Sequence, residues 1–263
     1  MTIPSYHWWR TVFFLIPAIG LYTIVLGTLS VASVVFDRSG YTAHRCARAW
    51  SWLILVTTGV TVEVRGREQL TSGKTYIFVS NHQSIYDIPI IFWHLPWQLR
   101  IIAKASLGKF PFLGWHLRRT GHLLVDRKRP DPIGVLKRWK ELVSQGLSLI
   151  VFPEGTRSAD GRLGRFKGGS FLLAIQAGLP IVPISVSGSR HVMLKGRLMT
   201  CPAHVRLTVH PPVPTEGLEP TVASAKALAE QIREIVQREV EGAPSLSAGL
   251  GHPSAEPPPA RRG

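Results

Sequence analysis

The segment Asn81-His82-Gln83-Ser84-Ile85-Tyr86-Asp87 follows directly on the apolar run 76–79. Imidazole takes up and releases protons near neutral pH, and a carboxylate hydrogen-bonded to one ring nitrogen fixes its tautomer and stabilises the imidazolium. His82 and Asp87 can supply that pair, and Ser84 lies near enough in sequence to be weighed as a covalent nucleophile. On a regular α-helix, five residues at about 100° each leave two side chains roughly 140° apart. His82 must therefore precede a helix and Asp87 must sit in its first turn, the place where Pro89 is tolerated. Taken alone, the spacing serves a structural histidine with a capping carboxylate equally well.

A second polar cluster, Phe152-Pro153-Glu154-Gly155-Thr156-Arg157-Ser158, leaves the apolar run 148–151. Its Pro and Gly enforce a turn, Gly155 lets a ligand approach the backbone, and Arg157 offers a planar fork matched to phosphate. Gly121-His122-Leu123-Leu124-Val125-Asp126-Arg127 reads as a strand ending in a basic residue. Lys104 and Lys109 flank Ala105-Ser106-Leu107-Gly108, and Lys167 precedes Gly168 and Gly169; each reads as an anion contact or as a solvated charge. Cys46 and Cys201 have no metal-ligand spacing around them, so neither a disulfide framework nor a zinc site is expected.

The elements that must hold these clusters are legible as periodicities. Runs at 60–64, 76–80, 98–103, 121–125, 148–152, 181–186 and 205–209 are β-branched and short, and read as strands. Helical spacing appears over 133–145, 170–177 and 221–240. Strands alternating with helices predict an α/β domain around a mixed sheet with flanking helices, the helix 221–240 closing the sheet. The expected organisation is an anchoring segment over 1–59, a catalytic domain over 60–241 and a disordered tail over 242–263, where Pro, Gly, Ser and Ala dominate.

Residues 11–36 carry no charge until Asp37 and are long enough to cross a hydrocarbon core of about 30 Å. Pro17, Gly20 and Gly27 interrupt the run, leaving a kinked span or a re-entrant pair of half-helices. A cleaved signal is disfavoured, since the apolar run exceeds the usual ~7–15 residues and only Arg10 is basic ahead of it. The Trp-rich run 49–62 suits an interfacial helix, so the two together predict a membrane-anchoring helical hairpin with Trp8, Trp9, Trp50 and Trp52 at headgroup level. The net charge of +15 requires an anionic partner. With an apolar anchor present, that is an anionic membrane surface or a phosphorylated substrate and not nucleic acid, and the basic distribution favours a cytoplasmic catalytic domain.

Taken in order, Asn81-His82 with Asp87, then 121–127, then 152–158, then Ile181-Val182-Pro183-Ile184 resembles the four blocks of the glycerolipid acyltransferase family. The resemblance covers about 60–210, and its first and third blocks discriminate best. It implies His82 as general base, Asp87 as its orienting partner, and Asn81, Lys104, Arg127, Glu154, Gly155, Thr156 and Arg157 as substrate-binding residues. Arg127 and Arg157 would contact phosphate, Glu154 and Gly155 the glycerol, and Pro183 the acyl chain or donor. The implied substrates are a lysophospholipid, foremost 1-acyl-glycerol-3-phosphate, and an acyl thioester of coenzyme A or acyl carrier protein as co-substrate, with no metal or organic cofactor. Another lysolipid acceptor such as lyso-ornithine lipid keeps the same chemistry. A non-catalytic basic tether of membranes would make the intact His82, Asp87, Glu154 and Arg157 superfluous.

Overall fold

The computed structural model describes residues 5–126 and 131–242. The N-terminal helix runs without a break from Tyr6 to Ser33, as α1 (Tyr6–Arg10), a π turn (Thr11–Leu15) and α2 (Ile16–Ser33). Pro17 lacks the N–H that would bond the carbonyl four residues back, and the wider π turn just ahead of it accommodates that loss. The helix is therefore continuous, and the re-entrant pair of half-helices does not form. Its 28 residues reach about 42 Å, enough to cross a bilayer core. Phe13, Phe14, Leu21, Ile24 and Leu29 stand exposed along it.

A turn through the left-handed Gly40 reverses the chain into α3 (Tyr41–Thr58), which packs along α2. Trp50 Nε1 donates to Thr23 Oγ1 at 3.0 Å, and Tyr22 and Thr57 hydroxyls meet at 3.1 Å. The expected hairpin is thus present, with one correction to its second arm. The apolar run 49–62 is not one element, because Gly59 adopts φ +77 and ends the helix, and Val60 opens a strand. The helix instead extends back through Arg45 and Arg48, and Arg48 is accommodated by the Trp93 carbonyl at 3.0 Å and by the Trp93 ring.

All seven expected strands form: β1 (Val60–Arg65), β2 (Ile77–Ser80), β3 (Leu99–Lys104), β4 (Leu123–Val125), β5 (Ser148–Val151), β6 (Ile181–Ser187) and β7 (Ala203–Val209). They make one sheet in the order β1-β7-β6-β2-β5-β3-β4, parallel throughout except between β6 and β7. Between the strands lie α4 (Asp87–His94), α5 (Leu113–Arg119), α6 (Pro132–Ser144), α7 (Gly169–Ala177) and α8 (Ser189–Val192), and α9 (Val222–Gly242) follows β7.

Period-two alternation divides the central strands between two cores. Phe78, Ile150, Val182, Ile184 and Val186 face a core shared with α3 and α4, while Ile77, Val79, Leu149, Val151 and Ile181 face one shared with α6, α7 and α9. Both faces are covered, which is why these strands read as unbroken apolar runs. Leu228, Ile232 and Val236 close the second face from α9.

Candidate active site

β2 and β5 lie side by side and parallel, Val79 opposite Val151, so their C-terminal ends deliver residues 81–87 and 152–158 to the same edge of the sheet. Loops at that edge are where α/β folds assemble ligand sites. His82 stands in the loop and Asp87 begins α4. The Asp87 carboxylate Oδ2 accepts three hydrogen bonds, from His82 Nδ1 at 2.8 Å and from the backbone N–H groups of Gln83 at 2.8 Å and Ser84 at 2.9 Å. The Asp87 side chain is fully buried at a helix start, where the dipole favours a carboxylate, whereas the His82 side chain keeps 16% of its surface open. The imidazole also stacks on Phe152, with centroids 4.2 Å apart. With Asp87 at Nδ1, Nε2 has no hydrogen-bond partner among the described residues.

The neighbouring side chains divide between scaffold and open site. Asn81 is buried, donates from Nδ2 to the Val186 carbonyl at 2.9 Å and accepts the Val186 N–H at 2.8 Å, so its amide ties β2 to β6. Ser84 is fully buried and donates to the Met193 carbonyl at 2.9 Å, which removes it as a nucleophile. Each Glu154 carboxylate oxygen accepts one backbone donor. Oε1 accepts the His82 N–H at 2.7 Å and Oε2 the Gly164 N–H at 2.9 Å. Burial pushes its pKa up, and those two N–H groups oppose the shift. The Ser158 N–H donates back to the His82 carbonyl at 2.8 Å, so the two loops clasp each other at His82.

Gly155 occupies φ +73, a left-handed conformation that side-chain-bearing residues rarely adopt, with Lys167 Nζ 2.8 Å from where a Cβ would stand. Thr156 is exposed and Arg157 half-buried, its guanidinium in no ion pair among the described residues. Lys104 is exposed at the C-terminal end of β3, two strands from β2 on the same edge, and Lys109 is exposed at the end of the following 3-10 turn. Pro183 is buried in β6 opposite Val79 and packs within the sheet. Arg127 lies outside the described residues. Lys195 went unforeseen: its ammonium donates to the Arg157 carbonyl at 2.7 Å and to Thr156 Oγ1 at 3.2 Å. No local pattern marks it, since a separation of 38 residues is bridged only by the crossing of β6 beside β2.

An apolar cavity of about 160 Å³, also unforeseen, lies between the hairpin, α4, β3 and α5. Ile85 and Ile88, on either side of Asp87, form one wall, and Trp50, Ala103, Leu113 and Gly27 form others. His116 and His122 line it too, yet burial lowers the first to about 4 and the second well below the usual histidine value. The cavity wall is thus uncharged at neutral pH. The cavity meets the dyad's segment through Ile85, Ile88 and Pro89, while the dyad side chains and the Arg157 turn lie outside its lining.

The Acyltransferase family model matches residues 61–187. The chain is 36% identical over 204 residues to the chloroplastic 1-acyl-sn-glycerol-3-phosphate acyltransferase BAT2 of Brassica napus, covering 74% of this chain and 58% of that protein. It is 38% identical over 177 residues to 1-acyl-sn-glycerol-3-phosphate acyltransferase alpha of Bos taurus, covering 66% and 61%. The chain therefore spans less than two thirds of the length of these curated relatives. The crystal structure of the 1-acyl-sn-glycerophosphate (LPA) acyltransferase PlsC from Thermotoga maritima superposes with a TM-score of 0.71 at 29% identity, covering 92% of this chain and all of that one. With the His82–Asp87 dyad at the sheet edge inside the matched region and the whole fold shared, the chain belongs to the acyltransferase family.

Proposed function

We propose that this chain transfers a fatty acyl group from a thioester of coenzyme A or acyl carrier protein to the sn-2 hydroxyl of 1-acyl-glycerol-3-phosphate, giving phosphatidic acid. The observation that carries this reading is the dyad itself: Asp87 holds Nδ1 of the partly exposed His82, the 152–158 turn clasps His82 through the Ser158 N–H, and Ile85 and Ile88 beside Asp87 line an apolar cavity. Asp87 at Nδ1 holds the tautomer whose Nε2 lone pair accepts a proton. His82 takes the hydroxyl proton as that oxygen attacks the thioester carbonyl. The carbon–sulfur bond then breaks and the imidazolium returns the proton to the leaving thiolate. The substrate brings the nucleophile, so the triad's serine has no counterpart here. The apolar cavity is suited to an acyl chain, and Arg157 with Lys104 to the acceptor phosphate. The reaction calls for no metal or organic cofactor, because the thioester is itself activated.

The apolar hairpin holds the protein in the membrane, with the basic catalytic domain on the cytoplasmic side against an anionic lipid surface and no nucleic acid as partner. The experiment that tests the reading measures acyl transfer by the purified chain to a panel of lysolipids with both thioester donors. Phosphatidic acid formation from lysophosphatidic acid is expected to dominate. Transfer to lyso-ornithine lipid with none to lysophosphatidic acid would overturn the assignment of the acceptor.

A further inference from the structure

The segment 193–200, between α8 and β7, touches three parts of the molecule that are far apart in sequence. At its start, the Met193 carbonyl accepts the buried Ser84 hydroxyl, from the turn that carries the dyad. At its end, the Thr200 N–H donates to Thr11 Oγ1 at 3.0 Å and Ser5 Oγ reaches Met199 Sδ at 3.2 Å, so this root sits against the start of the apolar N-terminal helix beside Trp8 and Trp9. In between, Leu194-Lys195-Gly196-Arg197 forms a tight turn, closed by the Arg197 N–H to the Leu194 carbonyl at 3.1 Å with Gly196 at φ +79. From that turn Lys195 reaches over to the Arg157 carbonyl and the Thr156 hydroxyl.

The composition of the segment is unusual for a solvated loop. Leu194 is 37% exposed and Leu198 50% exposed, with the cations Lys195 and Arg197 between them. Exposed apolar side chains alternating with long basic ones match a bilayer surface, where the apolar groups enter the acyl boundary and the cations remain among anionic headgroups. Through the Thr200–Thr11 hydrogen bond the segment is tied to the first turns of the long apolar helix.

We propose that the 193–200 segment is a second contact with an anionic lipid bilayer and that it positions the phosphate-binding turn: Leu194 and Leu198 enter the acyl boundary, and Lys195 holds Thr156 and Arg157 in register with the headgroups. Lys195 acts here as a positioning residue, through Arg157. A seated segment aligns the turn with a lysolipid still in the membrane plane, while an unseated one leaves Arg157 held by its own loop alone. The kinetic part of this inference rests on the acyl-transfer reading; the membrane contact does not.

The test uses the full chain in vesicles of phosphatidylglycerol and phosphatidylethanolamine. The photoreactive residue p-benzoylphenylalanine replaces Leu198 or, as a control on the exposed face of α9, Lys226. Irradiation is expected to yield lipid adducts at 198 and none at 226, read by mass spectrometry. In parallel, Lys195→Gln is expected to raise the KM for vesicle-borne lysophosphatidic acid by about tenfold, the loss of one charged hydrogen bond, with the donor KM unchanged. Lys195→Arg is expected to recover most of that loss, which a merely structural lysine would not require. Absence of adducts at 198, or equal yields at both positions, overturns the membrane contact. A Lys195→Gln enzyme with wild-type acceptor KM overturns the positioning role. If the wild-type chain acylates no lysophosphatidic acid, the proposed activity fails on its own, and the cross-linking still decides the contact.

Discussion

Replacing Asp87 by Asn isolates the electrostatic part of the dyad, because the substitution keeps the size of the side chain and removes its charge. Asp87 is fully buried, so water does not screen its attraction for an imidazolium at His82. With charge centres taken about 4 Å apart and an effective dielectric of about 20, that attraction amounts to about 4 kcal/mol, or about three decades in rate. A fall in kcat of about 10³ is expected, within the roughly 10²–10⁴ range of general base catalysis. The Asn oxygen can still accept from Gln83 and Ser84, so the turn should survive. Its amide nitrogen would then occupy the place of Oδ1, which is buried without a partner, adding about 1–3 kcal/mol of destabilisation. Acyl transfer is followed by thiol release under saturating donor and acceptor, with circular dichroism and thermal melting to verify folding, and His82→Ala serves as the limiting case. If folded Asp87→Asn protein kept kcat within about threefold of wild type, the carboxylate would not stabilise a developing imidazolium and the dyad mechanism would be refuted.

Arg157→Lys keeps the charge but loses the fork, so the KM for lysophosphatidic acid should rise by about tenfold while the donor KM holds; a weakened donor KM alone would assign Arg157 to the donor. Glu154→Gln can accept only one of the two backbone N–H groups, from His82 and Gly164, and sets its amide donor against the other. It should lower the melting temperature by the equivalent of about 1–3 kcal/mol and reduce kcat more than either KM, and unchanged kcat in steady-state assays would mean that the clasp does not position His82. His116 and His122 are held neutral by burial, the former down to about 4, whereas in the unfolded chain they titrate near 6.5. Protons then bind the unfolded state preferentially between about 6.5 and about 4, so the melting temperature should fall as pH drops through that window; a flat profile there would refute the burial argument.

Hydropathy and spacing determined much of this protein by themselves. A run free of charge becomes the apolar helix Tyr6–Ser33, and apolar runs flanked by turn residues become the seven strands, because these preferences depend on near neighbours along the chain. The five-residue separation of His82 and Asp87 already required a loop followed by a helix start, and the two side chains meet at 2.8 Å there. What the one-dimensional pattern could not decide was the purpose of groups whose partners are remote. Asn81 and Glu154 have the look of ligand-binding side chains, and their polar atoms bond to Val186 and to His82 with Gly164, contacts created only when β6 and β5 flank β2. Lys195 and the cavity between the hairpin and β3 were invisible for the same reason. The chain specifies which segments are apolar, polar or bent through short-range sterics and solvation. Which polar atom faces a backbone amide and which faces a substrate is settled only by the order in which the strands assemble.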